Sequence, residues 1–195
     1  MAPKSPEDFE KMRAESRSNI LQSALKLFAE EGYDNTSISQ IARDAGISKG
    51  LVYNYFDSKQ ELLEQVVHKG LKLMPEIFEA SDRKIDSSTL PNMLERFRKS
   101  LKNDRLFWKF YAELLLQFLR NRELLQQFDM LFNEFIELFI ECMRQQNVTN
   151  PEIEGRKLAA MLDGVSLHYM FDDDYPIDDI FDDIIKTYVP HASHE

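Results

Sequence analysis

Apolar residues along this chain recur at helical spacing. Ile20, Leu21, Ala24, Leu25, Leu27 and Phe28 fall on one side of a helix, and the run stops at Gly32, which predicts a first helix from about Arg13. Residues 1–12 hold two prolines and mixed charges without periodicity and read as a frayed terminus. Ser37 followed by Gln40 is a capping-box pattern that opens a short second helix, with Ile38, Ile41, Ala42 and Ala45 inward and Gly46 as its stop. The pattern resumes at Ile47. Ser48 is a natural N-cap for a third helix running to Phe56, on which Val52 and Phe56 share one side. Asp57 and Ser58 cap a fourth helix carrying Leu62, Leu63, Val66, Val67, Leu71 and Met74, with Gly70 and Pro75 as positions that can kink it. Polar, turn-prone stretches at 81–89, 102–105, 121–122 and 147–151 divide the remainder into five further helices, nine in all. No run alternates with the period of two that a sheet requires, and no repeat of roughly 20 to 50 residues occurs, so the expected class is all-α.

Composition refines this picture in three ways. A chain of 195 residues, 43% hydrophobic and 30% charged, can bury a core and fits one small domain, residues 1–60, followed by a larger one, residues 61–195. The net charge of -10 is uneven: residues 1–60 carry 8 Lys or Arg against 9 Asp or Glu, and the rest carries 16 against 25. A nucleic acid would therefore bind the first third. Cys142 stands alone and cannot form an intrachain disulfide, the start is polar and acidic, and no apolar run reaches the roughly 18 residues of a spanning helix; the expectation is a cytoplasmic protein with no membrane partner.

Two short helices joined at a glycine, with Ala42 and Ala45 small where the helices must approach, describe a helix-turn-helix, whose second helix enters the major groove. At 100° per residue, Lys49, Gly50, Tyr53 and Asn54 cover an arc of about 140°, while Val52 and Phe56 face the other way. The free face suits DNA: Lys49 can donate to phosphate or guanine, Asn54 can pair with adenine, Tyr53 and Tyr55 carry phenol donors, and Gly50 lets backbone come close. Thr36 and Ser37 at the start of the second helix, Ser48 at the start of the third and Lys59 at the start of the fourth are candidate phosphate contacts that fix register.

The run GYDNTSISQIARDAGISKGLVYNYFDSKQELL, Gly32 to Leu63, resembles the DNA-binding region of the TetR family of transcriptional regulators. The likeness rests on Thr36, Ile41, Ala42, Ala45, Gly46, Ser48, Gly50, Tyr53, Phe56, Lys59 and Leu62 at fixed spacing. Tyr55, where many members carry histidine, and Asn54, where an aromatic or basic residue is frequent, depart from the pattern and bear on operator preference. The resemblance implies that C-terminal helices form a ligand pocket and a dimer interface, and that ligand binding shifts two DNA-binding heads out of register.

The second domain offers regional signals for both roles. Fourteen Phe and eight Met, mostly beyond residue 60, suit an adaptable apolar pocket, with Met74, Phe78, Phe97, Trp108, Tyr111, Leu115 and Phe132 as candidate lining; ordinary core is the competing reading. Glu113 and His168 interrupt apolar helical patterns and either orient a ligand or face solvent. Leu158, Met161, Leu162 and Val165 line one helix, with Ala159, Ala160 and Gly164 permitting close approach, and Ile180, Phe181, Ile184 and Tyr188 line the next. Two such helices per chain would pair across a two-fold axis, the alternative being packing within one chain.

Other chemistries find no support. Seven aspartates between Asp172 and Asp183 lack the glycine and terminal glutamate of a calcium loop, and His191 and His194 have no companion ligands, so no metal site is expected. No Gly-rich phosphate loop or nucleophile elbow occurs, which leaves no cofactor and no enzyme to expect. The expected function is a homodimeric regulator of double-stranded operator DNA, a repressor released by a small, mainly apolar ligand; the alternative is a DNA-binding factor of the same fold controlled by a protein partner.

Overall fold

Helices account for all the regular structure of residues 5–71 and 85–189, the residues that the computed structural model describes. They are α1 (Pro6–Glu31), α2 (Ile38–Asp44), α3 (Lys49–Tyr53), α4 (Lys59–Leu71), α5 (Thr89–Asn103), α6 (Arg105–Arg120), α7 (Arg122–Gln145), α8 (Pro151–Phe171) and α9 (Ile177–Tyr188). The all-α class follows, with breaks at Asp104, at Asn121 and at 147–150 inside the polar stretches, whereas the break between α8 and α9, at 172–176, falls in none of them. Met74, Pro75, Phe78, His191 and His194 lie outside the described residues.

α1 corrects the expectation of a frayed start. Ser5 is its N-cap: the hydroxyl accepts from the Asp8 N–H at 3.2 Å, the Asp8 carboxylate accepts from the Ser5 N–H at 2.9 Å, and Pro6 occupies the first helical position, where a missing N–H costs nothing. Residues 7–15 are solvent-exposed, which is why they lack apolar periodicity while still being helical.

The chain divides into two compact units. One contains the described residues through Gly70 together with Lys109–Gln117 of α6; the other contains the remaining described residues. The first unit thus takes in all but the last residue of α4 and borrows part of α6, which differs from a boundary at residue 60. Its core is built from Ile20, Ala24, Phe28, Ile41, Val52, Phe56, Leu62 and Leu63, with Phe110 of α6 set 6.3 Å from the Phe28 ring. Gly46 joins α2 to α3 at φ +68°, a left-handed conformation that an L side chain rarely adopts, and the Ile47 N–H then closes onto the Ala42 carbonyl at 2.9 Å.

In the second unit α8 packs along α7 and α9 packs on α5. The α7–α8 contact turns on Gly155: a Cβ there would lie 2.7 Å from Ile140 Cγ1 and 2.8 Å from the Ile140 backbone, so only glycine admits this approach. Phe181 of α9 meets Phe97 of α5 at 6.0 Å, and Phe97 meets Trp108 at 4.7 Å. The buried indole N–H of Trp108 donates to Ser100 Oγ at 3.0 Å, which removes the cost of burying it. Ion pairs of Arg98 with Asp182 and Lys102 with Asp178, each 2.8 Å, fasten the exposed rim of α5 and α9.

These contacts correct the expected dimer surface. Leu158, Leu162, Val165, Phe181 and Ile184 are buried inside a single chain, Ile180 and Tyr188 are half-buried, and Met161 is exposed. The physical reason is that amphipathic spacing states which face of a helix is apolar and leaves open which neighbour covers it. Gly164 likewise has open space at its Cβ position, and Gly155 is the close-approach glycine. Among the described residues no helix is long and apolar enough to cross a membrane.

Gly155→Ala is expected to lower stability by about 1–3 kcal/mol through overpacking against Ile140, seen as a fall of several degrees in the melting temperature. Gly164→Ala, made in open space on a helix, should be neutral or stabilising by up to about 1 kcal/mol; equal losses in both variants would refute the packing assignment. Burial pushes the Cys142 thiol up to about 12, with the Glu141 carboxylate adding to the shift. A thiol reagent at pH 8 should therefore label the folded chain slowly and the unfolded chain rapidly, as followed by mass spectrometry.

Candidate nucleic-acid interface

The site is built on α2 and α3. Ser37 caps α2, its hydroxyl accepting from the Gln40 N–H at 3.3 Å while the Gln40 side chain accepts from the Ser37 N–H at 2.8 Å. Ser48 caps α3, accepting from the Leu51 N–H at 3.2 Å. Val52 and Phe56 are buried, whereas Lys49, Gly50, Tyr53 and Asn54 are exposed, as the angular count predicts. A Cβ at Gly50 would meet nothing within 4 Å, so backbone lies open on this face. α3 is shorter than expected. It ends at Tyr53, Asn54 is its C-cap, and the following turn is held by N–H bonds of Tyr55 and Phe56 to the Val52 carbonyl at 3.0 and 3.1 Å.

α1 braces this motif from end to end. Lys26 pairs with Asp44 at 2.7 Å, and that hydrogen bond holds the Asp44 carboxyl below its ordinary range. Asn19 Nδ2 donates to the Ala45 carbonyl at 2.9 Å, at the turn itself. Arg17 lies 5.0 Å over the Phe56 ring and donates to Gln65 Oε1 at 3.0 Å, and Arg13 lies 5.9 Å over the Tyr55 ring. Sequence reasoning missed these side chains because the pattern of apolar residues carries no record of them; the Ser5 to Asp8 capping box was the available sign that α1 extends past Arg13.

Two expected phosphate contacts take other roles. The Lys59 ammonium donates to the Tyr33 carbonyl at 2.8 Å and the Thr36 carbonyl at 2.9 Å and sits 4.2 Å over the Tyr33 ring. Desolvation lowers its pKa, opposed by the nearby Asp34 charge. It latches the first turn of α4 to the segment that leads into α2. Thr36 is 1% exposed, and its hydroxyl donates to the Gly32 carbonyl at 2.8 Å, so it faces the interior. Ser37 and Ser48 remain at the surface with their hydroxyls engaged as caps.

The described candidate pocket residues are divided between the two units. Phe97 and Trp108 are buried in the second unit, where Phe132 packs at 5.4 Å on Phe118 and His168 is exposed and stacked 5.9 Å from Tyr175. Tyr111, Glu113 and Leu115, all half-buried, belong to the first unit. Glu113 there accepts from Gln117 Nε2 at 3.2 Å beside Gly32. Helical spacing could not separate these environments, because one helix, α6, contributes to both units.

Residues 20–66, which contain the whole of this motif, match the family described as bacterial regulatory proteins, tetR family. The transcriptional regulator HbdR of Aromatoleum sp. (strain CIB) is 49% identical over 53 residues, 27% of this chain and 23% of that protein, so the match spans about a quarter of the relative's length. The solved structure of the fatty acid degradation regulator FadR from Bacillus halodurans is similar over 100% of both chains, with a TM-score of 0.70 and 19% identity. FadR from Bacillus subtilis, solved in complex with stearoyl-CoA, is similar over 89% of this chain and 97% of that one, with a TM-score of 0.72 and 18% identity. The fold of the described helices is therefore shared with these regulators, and residues 20–66 of this chain carry the helix-turn-helix region of the tetR family of bacterial regulatory proteins.

Proposed function

We propose that this chain is a transcriptional repressor that binds a palindromic operator as a homodimer, with α3 in the major groove, and that a small, mainly apolar ligand releases it. The observation that carries the reading is the exposed face of α3: a cation, an open glycine, a phenol and an amide side by side on a short helix whose opposite face is anchored in the core. Dimerisation follows from the operator, since half-sites on one face of the duplex lie roughly 34–36 Å apart and one chain offers one α3. The exposed Met161 and half-buried Ile180 and Tyr188 are the members of the expected interface that a partner can still reach. The Phe- and Met-rich second unit and the likeness to a regulator solved with stearoyl-CoA support an apolar ligand, and an acyl chain is the first class to test. Release demands selectivity: inverting a 1:99 equilibrium takes about 5.5 kcal/mol of differential ligand affinity.

The test is a salt-dependent titration against the DNA upstream of the chain's own coding sequence, with and without a long-chain acyl-CoA. Specific binding that the ligand abolishes supports the reading; specific binding that no ligand alters points to control by a protein partner; no binding overturns it. Lys49→Ala should flatten the slope of log K against log salt by about 0.9 per bound chain, as expected for one lost phosphate contact. Lys59→Ala should instead lower the melting temperature and the affinity while leaving the slope unchanged, because its ammonium is engaged within the protein. Asn54→Ala should alter base preference, read as a changed ranking of operator variants, with little change in slope.

A further inference from the structure

The inference rests on the DNA-binding reading above and concerns the far end of α3. Several cations of the first unit are engaged internally: Lys26 with Asp44, Arg17 with Gln65, and Lys59 with two backbone carbonyls. Arg13 differs. Its side chain is exposed, with the guanidinium carbon 5.9 Å from the centroid of the Tyr55 ring, and a guanidinium carries five N–H donors. Among the described residues no acceptor takes those donors.

Position gives that free valence a use. Tyr55 follows Asn54, the C-cap of α3, so Arg13 stands beside the C-terminal end of the exposed face while Lys49 stands at its N-terminal end. Six residues at helical rise span about 9 Å, comparable with the roughly 12 Å width of a major groove walled on both sides by phosphates. A guanidinium matches a phosphate with two parallel donors. The capped start of α1 holds Arg13 in place: Ser5, Pro6 and Asp8 stabilise turns that bury nothing, and those turns carry the helix out to Tyr55. We propose that Arg13 is a DNA phosphate contact, and that Lys49 and Arg13 bracket α3 at its two ends.

The probe is a 30-base-pair duplex of random sequence, because a phosphate contact does not read bases, and the protein is the full chain. Arg13→Ala should weaken binding roughly tenfold at 0.1 M salt and flatten the salt slope by about 0.9 per bound chain. Arg13→Lys should keep the slope, and Lys69→Ala, an exposed cation near the end of α4, should change neither quantity. Circular dichroism melts confirm that each variant is folded. An Arg13→Ala slope equal to that of the wild type overturns the proposal even if affinity falls, since Arg13 would then act only by propping Tyr55. A wild-type chain that binds no duplex at low salt sinks both this inference and the function beneath it. Binding by the wild type that Lys49→Ala flattens and Arg13→Ala does not removes this inference alone.

Discussion

A helix of five residues has almost no stability of its own, because isolated helices shorter than roughly 12 to 15 residues are marginal in water. α3 is such a helix, and its caps, its turn and its buried side hold it in place. Ser48 satisfies its first free N–H groups, Gly46 sets the turn that aims it, and Val52 and Phe56 anchor its inner face at essentially zero exposure. α1 fixes both flanks through Asn19 at the turn and Arg17 at Phe56, and Lys59 ties α4 to the segment that launches α2. The exposed residues of α3 can be chosen for chemistry because none of them is needed for stability.

Charge is distributed on the same logic. The chain is acidic overall, so its net field opposes DNA and any attraction has to be local. The first unit nevertheless commits cations to internal work: Lys26 neutralises Asp44, and Lys59 gives two donors to carbonyls while paying a desolvation cost that depresses its pKa. Lys49 and Arg13, beside α3, are among the cations left outward. A sequence count of lysines and arginines would treat all of them alike, whereas hydrogen-bond geometry separates scaffold from surface.

Much of this protein was legible in the chain itself. The nine helices among the described residues, the glycine stop at Gly46, the caps at Ser37 and Ser48 and the exposed arc of α3 follow from short-range rules, because capping, helical periodicity and left-handed turns involve residues within about four positions of one another. Tertiary structure decided what depends on distant partners. It placed Thr36 inside, turned Lys59 inward onto two carbonyls, brought Arg13 across 42 positions to Tyr55, and covered Leu158, Leu162, Val165, Phe181 and Ile184 within one chain. It also divided α6 between two units, with Tyr111, Glu113 and Leu115 in one and Phe97 and Trp108 in the other. The physical reason is the same in each case: sequence spacing fixes the direction in which a side chain leaves its own helix, and only the packing of other helices determines what stands there to meet it.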